Sequence, residues 1–235
     1  PPGGYRLAFG AEIALTHADA DGLRHGLVTL AQIAHAARTD PRFAFPTEGG
    51  IEDAPRFGWR GCHLDVARNF HPTATVLRLI DICAWLKLNR LHWHLTDDEG
   101  WRLPSAAFQG LTAQAAPRAR GSGLPPQYAD GPEGQSGAYT PAEVAAVVAR
   151  GAALGVPVMP ELDMPGHVTA LLGAIPGLRD PEEAPDSYRS IQGYPNNALN
   201  PALPRSYRVV ETLLAEAAEM FPGSALHVGG DEGNG

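Results

Sequence analysis

Four short apolar runs each end in residues that can move protons or hold hydroxyl groups. GCHLDVA (61–67) carries Asp65 and leads into Arg68. RLHWHL (90–95) leads into Asp97 and Asp98. VPVMPELD (156–163) carries Glu161 and Asp163 and is followed by His167. ALHVGG (225–230) leads into Asp231 and Glu232. A guanidinium can give two parallel hydrogen bonds to vicinal hydroxyls. An aspartate beside a histidine can fix the imidazole tautomer and tune a neighbouring acid. The adjacent carboxylates Asp231 and Glu232 point to opposite faces if they sit on a strand, so they cannot share the acid and base parts symmetrically.

Each of these groups also has a plain structural reading. Asp231 and Glu232 alone could be a solvated strand end, Arg68 could be an ion-pair partner of Asp65, and His167 could cap local backbone after Pro165 and Gly166. Asp98, Trp101 and Arg102 are expected to close the loop after the second run. Glu161 and Asp163 share a side at i, i+2, with Asp163 expected to face the site. His92 and His94 form a His-X-His pattern that places two imidazoles on one strand face, as metal-dependent amidohydrolase-type barrels do. The only lysine, Lys87, is expected on a helix and out of reach as a bridging ligand, so a packed interior histidine is the preferred reading. Cys62 and Cys83 are expected as buried thiols, and Trp59, Trp85 and Trp93 as core.

The elements that must position these groups are legible in the periodicity. YRLAF and EIALTHAD alternate as half-buried strands do. LRHGLVTLAQIAHAA then repeats apolar Leu27, Leu30, Ile33 and Ala34 at helical spacing. Residues 39–58 hold Pro41, Pro46, Gly49, Gly50 and Pro55 and read as a connection. From 59 onward strands and helices alternate. A helix is expected over 73–88, with Val76, Ile80, Cys83 and Leu86–Lys87 around one face. A long polar, Gly/Pro-rich stretch spans about 99–138. Thr140-Pro141-Ala142-Glu143 is a capping box that opens a helix ending at Leu154, with Gly155 as its stop. A further helix is expected over 206–221. Such alternation implies parallel strands with crossover helices. No glycine-rich dinucleotide fingerprint follows the first strand, which disfavours a dinucleotide-binding sheet. Four strands loaded at the same end fit a barrel, whose active sites lie at that face.

Composition narrows the class. The 235 residues are 44% hydrophobic and 19% charged, as in a globular domain with a real core. A net charge of −8 argues against nucleic acid as partner. The sequence has no apolar run long enough for a membrane helix and no signal-peptide pattern at its start. Two cysteines exclude a disulfide-rich scaffold.

RGCHLDVAR (60–68), HLTDDEGWR (94–102), PELDMPGH (160–167) and HVGGDE (227–232), in this order, resemble the β-N-acetylhexosaminidases of glycoside hydrolase family 20. The resemblance implies an α/β fold, a (β/α)8 TIM barrel, of which about the first four βα units lie in residues 51–235. Residues 1–50 are then expected to form the C-terminal part of a small α/β domain before the barrel. The resemblance further implies a retaining exo-enzyme acting on terminal β-linked N-acetylglucosamine or N-acetylgalactosamine. Catalysis would be substrate-assisted, through an oxazolinium intermediate, with no metal or organic cofactor. In this reading Glu232 is the acid and base, Asp231 orients the acetamido group, Arg68 binds the O3/O4 edge of the sugar, and Asp97 and His167 form a relay to Glu232. The partner is an amino-sugar oligosaccharide or glycoconjugate, and no nucleic acid or membrane is involved. The alternatives are a non-catalytic amino-sugar-binding protein and a metal-dependent amidohydrolase-type barrel.

Overall fold

The computed structural model describes residues 1–115 and 136–230. The chain begins with a three-stranded antiparallel sheet in the order β2-β1-β3: β1 (Tyr5–Phe9), β2 (Ala14–His17) and β3 (Gly49–Asp53). Helix α1 (Ala20–Thr39) covers it. The side chain of Asp19 caps this helix by accepting from the Gly22 and Gly3 N–H groups. The buried face of α1 is Gly22, His25, Gly26 and Thr29, while Leu27 is 51% exposed and Ala34 is exposed. Of the expected apolar stripe, Leu30 and Ile33 pack half-buried against Tyr5, Leu7 and Phe9, while Leu27 and Ala34 lie outside the contact. A Cβ on Gly22 would meet the Gly4 carbonyl at 2.2 Å, so the helix lies flush on backbone where a larger residue has no room. Strand β3 lies in the segment expected as a connection, and the expected division after residue 50 falls inside it.

The second unit is built on parallel strands. β4 (Gly61–Asp65) and β7 (Val158–Leu162) flank β5 (Arg90–Asp97), and all three run parallel. A two-residue turn at Asp98–Glu99 brings β6 (Gly100–Trp101) back antiparallel to the end of β5. Helices α2 (Thr73–Trp85) and α4 (Pro141–Leu154) make the crossovers. Two short helices, α3 (Leu111–Ala115) and α5 (Thr169–Ala174), precede α6 (Pro204–Met220). The capping box of α4 is present with both reciprocal bonds, and Gly155 ends the helix in the left-handed region. The parallel βα units are those of a partial (β/α)8 barrel.

Alternation on β5 separates core from site. Leu91, Trp93 and Leu95 are fully buried in the core that includes α2, α4 and α6, with Ile80, Val147 and Leu213 among their neighbours in it. His92, His94 and Thr96 point to the opposite face. Three expectations need correction. The run 225–230 is not an extended strand: only His227 bridges, in parallel, to Glu161. Trp59 and Trp85 are 59% and 40% exposed, and of the three tryptophans expected in the core only Trp93 is fully buried. Lys87 lies past the end of α2 with φ 57°, where Nζ donates to Tyr5 OH at 3.0 Å and Thr29 Oγ1 at 2.5 Å, tying the two units together. Cys83 is buried and Cys62 is half-buried.

Candidate active site

Strand register assembles the site. Asp65 of β4 stands beside His94 of β5, and His94 stands beside Glu161 of β7. The tight turn after β5 then places Asp97, Asp98 and Glu99 together, all buried.

Asp97 is the centre. Its Oδ2 lies 2.6 Å from Arg68 Nη2 and 2.8 Å from His94 Nε2. Its Oδ1 accepts from His167 Nδ1 at 3.1 Å and from the Asp98 backbone N–H at 2.6 Å. Arg68 also reaches Asp65 Oδ2 through Nη1 at 3.1 Å and donates from Nε to Glu99 Oε2 at 3.0 Å. The expected ion pair of Arg68 with Asp65 is thus present as one of three carboxylate contacts. The Arg68 side chain as a whole is 17% exposed.

The charges follow from these contacts. Burial raises the Asp97 carboxyl, but the His167 and His94 hydrogen bonds and the Arg68 charge outweigh it and hold the group well below the usual range. Burial pulls His94 down, yet its bonds to Asp97 and Glu161 push it up to about 10. Hydrogen bonds to Asp97 and Asp98 push His167 up to about 11 against burial. Glu99 moves the other way: burial and the neighbouring Asp97 charge raise it to about 7, against the pull of Arg68.

The loop after β7 delivers His167, whose φ of 56° is a left-handed conformation rare for a residue with a Cβ. Asp98 anchors this loop by accepting from Thr169 N and Oγ1 at 3.0 and 2.6 Å and from Asn197 Nδ2 at 2.9 Å. Arg102, fully buried, donates to the carbonyls of Val66, Ala67 and Gly137. Asp98 and Arg102 are therefore the braces expected from the sequence. Asp163 is buried, and its backbone N–H donates to Thr96 Oγ1 at 3.0 Å. A Cβ on Gly229 would fall 1.7 Å from Asp163 Oδ1, so only glycine, here with φ 66°, lets the 227–230 segment approach this strand end.

Arg68, Asp97, Asp163 and His167 thus converge. Asp231 and Glu232 lie outside the described residues. Glu99 and the His94–Glu161 contact were not singled out as site groups from the sequence. The signal for Glu99 was the third acid in Asp97-Asp98-Glu99, directly at the β5 turn. The signal for Glu161 was its i, i+2 phase with Asp163, which places both on the face of His94.

Parallel βα units whose strand ends gather acids, imidazoles and an arginine at one face define an enzyme site of the barrel class. The model of the glycosyl hydrolase family 20 catalytic domain matches residues 57–234. A β-hexosaminidase of Vibrio furnissii is 43% identical over 211 residues, covering 90% of this chain and 34% of that protein. The N,N'-diacetylchitobiase of Vibrio harveyi is 34% identical over 213 residues, covering 77% of this chain and 24% of that protein. Among solved structures, a family 20 exo-β-N-acetylglucosaminidase from Vibrio harveyi in complex with N-acetylglucosamine superposes with a TM-score of 0.88 at 38% identity, covering 99% of this chain and 36% of that one. The chain belongs to glycosyl hydrolase family 20. It spans between about a quarter and a half of the length of the curated relatives it matches.

Proposed function

We propose that the full-length protein is a retaining exo-β-N-acetylhexosaminidase that removes terminal β-linked N-acetylglucosamine or N-acetylgalactosamine by substrate-assisted catalysis. The observation that carries this reading is the hydrogen-bonded path Arg68–Asp97–His167 at the strand ends of a family 20 chain. A relative described in complex with N-acetylglucosamine supports the substrate class.

In this mechanism the substrate's acetamido oxygen attacks the anomeric carbon as the glycosidic C–O bond breaks. Glu232 gives its proton to the departing oxygen, and an oxazolinium ion forms. Asp231 accepts from the acetamido N–H, orients the group and offsets its growing positive charge. Water then attacks the anomeric carbon, Glu232 takes its proton, and the ring opens to restore the acetamide. Two inversions give net retention, and no second enzyme carboxylate acts as nucleophile, an exception to the usual two-carboxylate scheme. Arg68 grips the O3/O4 edge of the sugar, which blocks continuation of the chain there and makes the action exo. Asp97 holds His167 as a positioning partner of Glu232.

The test is hydrolysis of an aryl 2-acetamido-β-glycoside by the full-length protein. Glu232→Gln should lower kcat by about 10² to 10⁴ for a poor leaving group. Asp231→Asn should lower it by about 10² to 10³. Undiminished rates in either variant would remove that residue from its role.

A further inference from the structure

Asp97 has a second imidazole, on the oxygen that His167 does not use. His94 of β5 lies between two carboxylates, with Nε2 2.8 Å from Asp97 Oδ2 and Nδ1 2.6 Å from Glu161 Oε2. All three residues are buried. The proposed glycosidase chemistry gives His94 and Glu161 no part.

A neutral imidazole carries one N–H and one lone pair. In that form one of the two contacts would set a lone pair against a carboxylate, so each contact must hold a proton. Imidazole is the stronger base by roughly two pH units, and both protons therefore rest on the ring. The surroundings reinforce this. Asp97 Oδ2 also meets Arg68 Nη2 at 2.6 Å, and its Oδ1 meets His167 Nδ1 and the Asp98 N–H, so donors occupy every side of the carboxylate. Among the described residues, the charged and titratable groups that face the His94 ring are Asp65, His63 and Arg68 from β4 and the turn after it, Asp97 from its own strand, and Glu161 and Asp163 from β7 and its end. Four carboxylates against one guanidinium favour a positive ring. Burial pulls the His94 pKa down, but the bonds to Asp97 and Glu161 push it up to about 10.

We propose that His94 stays a doubly protonated imidazolium and that the Glu161–His94 pair is a positioning device for Asp97. Glu161 keeps the ring charged, and the ring pins Asp97 Oδ2, so that Oδ1 is aimed at His167. The path Glu161–His94–Asp97–His167 begins and ends on one segment, 161–167, and clamps it against β5. His167 is thereby held in its left-handed conformation by bonds that all lead back to β5 and β7. A neutral His94 would turn a lone pair toward Asp97 and loosen that hold. The catalytic half of this inference rests on the reading of His167 as the partner of Glu232; the charge on His94 does not.

The experiment has two arms. Full-length protein carrying ¹⁵N-histidine is titrated from pH 5 to pH 9 without substrate, and its ring N–H groups are followed by ¹H–¹⁵N correlation. The His94 signals are assigned by their absence from His94→Gln or His94→Asn. His94 should show two ring N–H signals throughout and no titration step. A single N–H, or a step below pH 8, would overturn the proposal, and this readout on the unaltered protein does not depend on Glu161→Gln folding. In the second arm, Glu161→Gln should bring a His94 titration step below pH 9. Its kcat on an aryl 2-acetamido-β-glycoside should fall by about 10- to 100-fold, with KM within about threefold, and kcat should decline further as pH rises through that step. A purely structural Glu161 would lower stability without adding a step to the pH profile. A kcat within twofold of the unaltered protein across this range, or a loss that shows no such step, would overturn the positioning role. If the unaltered protein does not cleave the acetamido glycoside, the proposed function fails, and the His94 signals decide the charged bridge by themselves.

Discussion

Asp97→Asn is the perturbation for which the geometry gives the sharpest expectation. Four donors converge on this carboxylate: Arg68 and His94 on one oxygen, His167 and the Asp98 N–H on the other. Asparagine keeps the shape but replaces one acceptor by an NH₂ group. In either orientation two donors then face a donor. A hydrogen bond to a charged group contributes about 1.5–3 kcal/mol, so the loss of two gives roughly 3–6 kcal/mol. Arg68 keeps Asp65 and Glu99, and His94 keeps Glu161, which places the expectation near the lower end, at about 3 kcal/mol. The pH dependence has a definite sign. The folded Asp97 pKa is depressed, so its contribution is present above the unfolded value near 3.8 and fades as pH falls below it. The folded His94 and His167 values are raised to about 10 and 11, so their contributions are complete below the unfolded value of 6.5 and are lost as pH rises through the folded values. The gap between the unaltered and Asp97→Asn proteins is therefore widest between about pH 4 and 6.5 and narrows towards pH 10. Urea unfolding of both full-length proteins at pH 6 and pH 9 reads it directly. A difference below about 1 kcal/mol at pH 6, or one that grows on going to pH 9, would refute the view of Asp97 as the charged hub.

Two further outcomes follow from the same network. Glu99 carries a folded pKa raised to about 7, so the folded state holds a proton that the unfolded state has lost, and stability falls as pH rises from about 4.5 to 7. Glu99→Gln should remove that fall, worth at most about 3 kcal/mol, and parallel denaturation curves at pH 5 and pH 8 for the two proteins show whether it does. Arg68→Lys replaces a planar fork that spans Asp65, Asp97 and Glu99 by a point charge. It should raise KM for the amino-sugar substrate at least tenfold, and a KM within twofold of the unaltered enzyme would argue against Arg68 as the sugar anchor.

The parts of the fold that were legible in the sequence are those where local signals and tertiary demands agree. The α4 capping box and its Gly155 stop, the β5 alternation and the Val76, Ile80 and Cys83 face of α2 read correctly because each is set by neighbours in the chain, whereas Leu86, expected on that face, is exposed and Lys87 lies past the helix end. The misreadings arise where packing overrides periodicity. Helix α1 half-buries the expected Leu30 and Ile33 against the sheet but leaves Leu27 and Ala34 exposed, because its closest approach is made by Gly22 on the backbone of Gly4 and by His25, Gly26 and Thr29. Strand β3 is Gly49-Gly50-Ile51-Glu52-Asp53, which has no apolar alternation and exists as a strand only by pairing with β1. The apolar run 225–230 reads as a strand but forms one bridge. At the candidate site, Arg68, Asp97, Asp163 and His167, each read from its own motif, lie together at the strand ends. The partners Glu99 and Glu161 were harder to see, since register across three strands, and not spacing along one, brings them to Arg68 and His94.

In the proposed mechanism the substrate's own acetamido group does the nucleophilic work. The most direct measurement compares the full-length protein's kcat/KM for an aryl β-glycoside bearing a 2-acetamido group with that for the same glycoside bearing a 2-hydroxyl. Because an intramolecular nucleophile held in place is worth many powers of ten, the acetamido substrate should be preferred by roughly a thousandfold or more. Equal rates on the two would contradict the mechanism and require a second catalytic carboxylate.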